Sequence, residues 1–266
     1  MKIGFIGGGV MGEAIIAGAA RNGVATPDAI AVSEPIAARR DYLSRTYGVQ
    51  AVESGPQAVA GADLVVLAVK PQEFSAAGRE LVGHLSDSQA VMSIMAGVTI
   101  STIENTIQHQ AIVRAIPNTP AQIGEGMTVW TATAAVSDMT RESIRSVLAG
   151  LGQELYVTDE KYVDMATAVS SSGPAYIFLV IEALIDAAVH IGLRRDMAVP
   201  MVIQTVLGAA RYAQATGKHP AELRNQVTSP GGTTTEGLLA LEEAGIRAAF
   251  TAAVEAAYEK AKALGG

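Results

Sequence analysis

The chain has 266 residues, 49% of them hydrophobic and 17% charged, and a formal charge of −7. That acidic balance, with no basic run longer than two residues, argues against nucleic acid and anionic membrane surfaces as partners. The absence of cysteine excludes disulfides, zinc–thiolate sites and thiol nucleophiles, and it fits a cytoplasmic protein.

The first twenty residues, MKIGFIGGGVMGEAIIAGAA, join a lysine to an apolar run and so superficially resemble a secretory signal. Glu13 interrupts the run, and the glycine spacing has a different explanation. Residues 2–6 read as a short apolar strand followed by a helix to about residue 22. Between them lies Gly7-x-Gly9-x-x-Gly12. In a dinucleotide fold the first glycine permits the tight turn, the second lets a pyrophosphate approach the backbone, and the third lets helix and strand pack closely. The helix N-terminus adds partial positive charge. Alone this motif is weak; after a strand and opening a helix it is strong.

A second strand at 30–33 and a polar-faced helix at 36–47 follow. The adenosine ribose is expected at this strand's end, where the sequence reads VSEPIAARR. Glu34 would accept from a 2′-hydroxyl and favour NAD, whereas Ser33 with Arg39 or Arg40 would accommodate the 2′-phosphate of NADP. Both signals are present. The run DLVVLAV at 63–69 suits a strand covered on both faces. It leads into Lys70-Pro71 at the ligand-binding edge of the sheet. IMAGVT (94–99) and RAIPNTPA (114–121) end further strands the same way. Asn118 is there a polar contact or a turn-former before Pro120. Strands at 126–131 and 154–157 flank a helix at 138–148. The alternation predicts a doubly wound, parallel Rossmann sheet.

Beyond residue 159 strand runs cease and helical periods follow at 160–192, 196–216, 219–227, 234–244 and 246–264. Gly173-Pro174 must distort or divide the first. The expected division is a dinucleotide-binding domain over 1–158 and an all-helical domain over 159–266. The run AYIFLVIEALIDAAVHIGL carries Glu182 and Asp186 on one helical face, which reads as a buried helix rather than a membrane span.

Hydride chemistry on alcohols needs a general acid or base. The four histidines, His84, His109, His190 and His219, sit where structural roles are common, and no lysine occurs between Tyr162 and Gly217. A protonated cyclic imine escapes that requirement. It needs an anion shelf for its carboxylate and a hydrogen-bond partner for its nitrogen. SPGGTTTEG (229–237) offers both: amides around Gly231, Gly232 and Thr233 at a helix start, and a hydroxyl from Thr233 or Thr234. Simple helix capping by a threonine would use the same residues.

The segments FIGGGVMG, LAVKP, AGVT, RAIPNTPA, SSSGPAYIF and, above all, HPAELRNQVTSPGGTTTEGLLALE resemble pyrroline-5-carboxylate reductase over essentially the whole chain. That resemblance implies NAD(P)H-dependent reduction of 1-pyrroline-5-carboxylate to L-proline, with NADPH as cofactor and NADH also possible. It implies that Gly7, Gly9, Val10, Met11, Gly12, Ser33, Ala68, Val69, Lys70, Pro71, Ala96 and Gly97 line the dinucleotide. Glu34 and Asn118 join them from the reading above. Thr234 would bond the ring nitrogen while Gly231, Gly232 and Thr233 hold the carboxylate; Glu160 and Ser229 are further substrate candidates, and no metal is expected. Val10, Gly55, Met95 and Ser171 depart from the family's usual residues. The resemblance further implies a homodimer, possibly a decamer of five dimers. Reduction of another cyclic imino acid or a small hydroxyacid, or a non-catalytic dinucleotide sensor, are the competing readings; a sensor has no need of the threonine cradle.

Overall fold

Runs of consecutive apolar residues suit strands covered on both faces. In the computed structural model, which describes residues 1–264, they form one eight-stranded sheet. In chain order come β1 (Ile3–Ile6), α1 (Val10–Arg21), β2 (Ile30–Ser33), α2 (Ala37–Tyr47), β3 (Gln50–Val52), α3 (Gly55–Val59) and β4 (Leu64–Leu67). Then follow α4 (Pro71–Arg79), β5 (Ala90–Ser93), α5 (Ile100–Ile107), β6 (Ile112–Ile116), β7 (Gly126–Ala132), α6 (Asp138–Ala149) and β8 (Gly152–Tyr156).

The strands lie in the order β3-β2-β1-β4-β5-β6-β7-β8, all parallel except the β6–β7 pair. Gly4 of β1 registers with Ala31 on one side and Val65 on the other. The chain therefore changes direction across the sheet at β1, the place where open α/β sheets bind ligands. The expected all-parallel sheet is broken at β7 because segment 117–125 is too short for a crossover helix and returns antiparallel. β3 carries no apolar run and lies half-exposed at the sheet edge, which is why its sequence gives no strand signal.

Alternation along each strand sorts side chains onto two faces. Ile3, Phe5, Leu64 and Val66 join Ile15, Ile16 and Trp130 on one face. Ile6, Val65 and Leu67 join Phe74, Leu81, Ile103 and Ile107 on the other. Each such side chain contributes about 1.5–3 kcal/mol on burial.

The second half runs α7 (Lys161–Ala166), a π-helical turn (Thr167–Ser171), α8 (Gly173–His190), α9 (Arg195–Thr216), α10 (Pro220–Gln226), α11 (Thr233–Glu243) and α12 (Ile246–Leu264). The interruption expected at Gly173-Pro174 is the π turn, after which these two residues open α8, where proline has no backbone donor to lose. The chain divides into two compact units: Met1–Pro174 with the residues from Ala256 onward, and Ala175–Glu255. The pattern of elements changes at 157–160, but α7 packs on the sheet and stays with the first unit.

One expectation is corrected. The apolar run 175–193 does not form a buried helix in the single chain: α8 contains no buried residue, and Phe178 and Leu179 are 61% and 65% exposed. Lys161–His190 is long and apolar enough, by length and composition, to cross a membrane. A unit of so few helices leaves more apolar surface than it can cover by itself.

Candidate active site

The three motif glycines meet different constraints. Gly7 has φ +99°, and a Cβ there would lie 2.8 Å from the Ala68 carbonyl oxygen. A Cβ on Gly12 would lie 2.8 Å from the Gly7 oxygen. At Gly9 a Cβ would meet nothing within 4 Å, and the residue is exposed. Gly9 is the extended N-cap of α1 and no side chain caps the helix. The first-turn amides at Val10 and Met11 thus have no helical acceptor beside an open approach, the arrangement that suits a pyrophosphate. The residues present fit a dinucleotide.

Ser33, the last residue of β2, and Glu34, the first beyond it, lie beside this loop and are both buried. The Ser33 hydroxyl donates to the Glu53 carbonyl at 3.2 Å. The Glu34 carboxylate accepts from the amides of Gly8 at 3.1 Å and Ile36 at 3.0 Å. Arg39 donates through Nε to the Gly8 carbonyl at 2.7 Å and through Nη2 to Glu13 at 2.5 Å. Glu13 also accepts from the Tyr47 and Tyr42 hydroxyls at 2.6 and 2.9 Å. Burial opposes ionisation of Glu13, but the bonds from Tyr47, Arg39 and Tyr42 outweigh it and hold the carboxyl below its usual range. Burial and the adjacent Glu13 push the Tyr47 hydroxyl upward. Composition gave no signal for this network; the apposition of α1 and α2 creates it.

The ends of β4, β5 and β6 complete this edge. Ala68 and Val69 are half-buried, while Lys70 is exposed at the start of α4, with Pro71 as its first residue. Ala96 is half-buried. Gly97, at φ +77°, lies under the end of α12: a Cβ there would come within 2.5 Å of Leu264 Cβ. Asn118 uses its side chain within the protein, donating to the Ser170 carbonyl at 3.1 Å and accepting from the Met127 amide at 2.9 Å. It therefore ties the loop after β6 to the π turn.

Glu160 also has internal partners. Arg114 on β6, 1% exposed, donates to Glu160 at 2.7 Å and to Asp164 at 2.5 Å. The same Glu160 oxygen accepts from the Ile100 amide at 2.7 Å. A buried arginine on a central strand requires such carboxylates, so α7 is held against the sheet and the start of α5 is held with it.

In the other unit, the loop before α11 is built around its glycines. Gly231 adopts φ +66°, and a Cβ on Gly232 would run into the Ser229 hydroxyl. Gly232 is the N-cap of α11, again without a side-chain cap. The third threonine closes the loop: Thr235 Oγ1 donates to the Ser229 carbonyl at 2.8 Å. The hydroxyls of Thr233 and Thr234 make no hydrogen bond among the described residues; the amides of Gly232 and Thr235 donate to the carbonyls of Ser229 and Gly232, each at 3.0 Å, whereas those of Gly231, Thr233 and Thr234 have no backbone acceptor there. Thr233 and Ser229 are exposed and Thr234 half-buried. Thr235, which the sequence reading passed over, could have been found from its spacing to Ser229 only with the turn at Gly231 known. The histidines serve structure where they bond: His109 contacts the Gln89 carbonyl at 2.7 Å, and His219 caps α10.

The model of a family described as pyrroline-5-carboxylate reductase dimerisation matches residues 160–264. A second, described as NADP oxidoreductase coenzyme F420-dependent, matches residues 2–97. The chain is 42% identical over 265 residues to a pyrroline-5-carboxylate reductase of Synechocystis sp., covering 100% of this chain and 98% of the relative. Among solved structures it is similar to a pyrroline-5-carboxylate reductase from Coxiella burnetii, at TM-score 0.92, 38% identity and coverage of 100% and 98%. It is also similar to Plasmodium falciparum pyrroline carboxylate reductase with NADP bound, at TM-score 0.91, 31% identity and coverage of 100% and 98%.

Proposed function

The chain belongs to the pyrroline-5-carboxylate reductase family, and from that premise we infer that it reduces 1-pyrroline-5-carboxylate to L-proline with NADPH or NADH, the last step of proline biosynthesis. The observation that carries the reading onto this chain's own residues is the start of α11. There an uncapped helix end, a left-handed glycine and two uncommitted threonine hydroxyls stand together.

The amides of Gly231 and Thr233 hold the substrate carboxylate, which the helix N-terminus favours, while Gly232, whose own amide is spent on the Ser229 carbonyl, shapes the cradle between them. The Thr234 hydroxyl bonds the ring nitrogen and orients the iminium, while Ser229 shapes the turn. Gly7, Gly9, Val10, Met11 and Gly12 hold the dinucleotide phosphates, and the ends of β4 and β5, Ala68 to Pro71 and Ala96-Gly97, flank them. When bound, the reduced nicotinamide supplies a hydride to the imine carbon; with the proton already on nitrogen, C=N becomes CH–NH. Because the iminium is electrophilic without further protonation, the protein's contribution is mainly positioning. Glu160 and Asn118 act from outside the substrate, by holding α7 and the loop after β6.

The helical unit dimerises, in keeping with the family model that spans 160–264, and we extend this to a decamer of five dimers in the cytoplasm. The test is loss of reduced-nicotinamide absorbance with pyrroline-5-carboxylate, using NADPH and NADH in parallel. Turnover supports the reading. Binding of both cofactors without turnover, or turnover only with a six-membered imine, replaces it.

A further inference from the structure

We propose that Glu34 sets cofactor specificity in this chain: it reads the adenosine ribose as a hydroxyl and penalises a 2′-phosphate, so NADH competes with NADPH rather than being excluded. This rests on the dinucleotide reading of the glycine loop.

The placement follows from the strand register. Ser33 pairs with Ile6, and its carbonyl accepts the Gly7 amide at 2.9 Å. Glu34 is therefore the first residue beyond β2 and lies against the loop itself, where the ribose of a dinucleotide is read. Its carboxylate is pinned. Oε2 accepts from the Gly8 amide at 3.1 Å, Oε1 accepts from the Ile36 amide at 3.0 Å, and the residue is 7% exposed. A Cβ on Gly8 would lie 2.5 Å from Leu43 Cδ1 and 3.4 Å from Glu34 Oε2, so packing keeps loop and carboxylate in this register. Each carboxylate oxygen keeps a further lone pair. A ribose hydroxyl can donate to it; a phosphate can only repel it.

The two arginines that could rescue a 2′-phosphate are committed. Arg39 is matched by Glu13 at 2.5 Å and tied to the Gly8 carbonyl. Arg40 spends Nη1 on the carbonyls of Glu34 and Pro35, at 2.7 and 2.8 Å, and its Nη2 lies 3.8 Å from Glu53. The Ser33 hydroxyl points to the Glu53 carbonyl. Three carboxylates thus face two guanidinium groups at the end of β2, leaving no net positive charge for a phosphate dianion.

The test is calorimetric titration of the full chain with 5′-AMP and with 2′,5′-ADP, which differ only in the 2′-phosphate. The wild type is expected to bind 5′-AMP at least as tightly as 2′,5′-ADP. Glu34→Gln is expected to shift the ratio of the two dissociation constants about tenfold toward 2′,5′-ADP, the size of one charge-assisted bond exchanged for a repulsion relieved. An unchanged ratio in Glu34→Gln overturns the proposal while leaving the dinucleotide site standing. Should that variant fail to fold, the wild-type ratio decides: a preference for 2′,5′-ADP above about tenfold overturns the proposal by the same arithmetic. If neither nucleotide binds the wild type, the dinucleotide reading falls and the specificity role with it.

Discussion

Gly9 and Gly12 stand three positions apart in one motif and answer to different demands. At Gly9 there is room for a side chain in the protein but not beside a pyrophosphate; at Gly12 there is no room at all. Gly9→Ala is therefore expected to leave the denaturation midpoint nearly unchanged and to weaken NADPH binding in a fluorescence titration. Gly12→Ala is expected to cost about 1–3 kcal/mol in urea unfolding, because backbone rather than a movable side chain opposes the new methyl. The threonines divide similarly. Thr234→Ala is expected to lower kcat/KM for the imine by about ten- to a hundredfold, the worth of a hydrogen bond to a charged group, with NADPH affinity unchanged. Unchanged turnover would remove Thr234 from the mechanism. The glycine roles were legible because only one chemistry asks for that spacing after a strand. The commitments of Glu34, Arg39 and Asn118 were not, since each has a partner far along the chain: Gly8 for Glu34 and Arg39, and Ser170 for Asn118.

At the scale of elements, α1 and α2 are held together by Glu13 with Arg39, Tyr42 and Tyr47, and α7 is held to β6 by Arg114 with Glu160 and Asp164. The Glu13 carboxyl has a lower pKa folded than unfolded. Its stabilisation is then fully present above the unfolded carboxylate range and is lost as pH falls through the folded value. Glu13→Gln is expected to destabilise at neutral pH, with the gap to wild type closing in acid, as followed by thermal unfolding across pH. Arg114→Met leaves two carboxylates and no cation. It is expected to cost about 3–5 kcal/mol in urea denaturation, and Glu160→Gln is expected to cost less because Asp164 still pairs with Arg114. Strands β1, β4, β5 and β6 were legible as apolar runs. β3 was not, having no such run, and the reversal at β7 lay in the length of its connection rather than in its composition.

For the whole molecule, the decisive feature is surface that one chain does not cover. Phe178 and Leu179 on α8, Met201 and Ile203 on α9 and Leu239 on α11 are all strongly exposed. An apolar surface of that extent is normally an interface, and the family model over these residues is one of dimerisation. Phe178→Glu is expected to raise the dimer dissociation constant by at least about thirtyfold, as for a buried aromatic anchor, read by sedimentation velocity.

The sequence by itself determined the parallel strands of the sheet's centre, the glycine loop and the threonine-rich helix start, because each is a local pattern: an apolar run of strand length, glycines at fixed offsets, a turn feeding a helix. Gly173-Pro174 likewise announced that the long helical period is interrupted, though not that a π turn does it. Only the tertiary structure decided which polar groups remain free for ligands. It assigned Thr235 to the loop and left Thr234 uncommitted, turned Glu160 and Asn118 inward, and pinned Glu34 against Gly8. It also left α8 exposed where its composition called for burial. The reason is common to all of these. A side chain's hydrogen-bond partner, or the surface that covers it, is fixed by residues brought near through folding or by a second chain, and neither is written in its own neighbourhood.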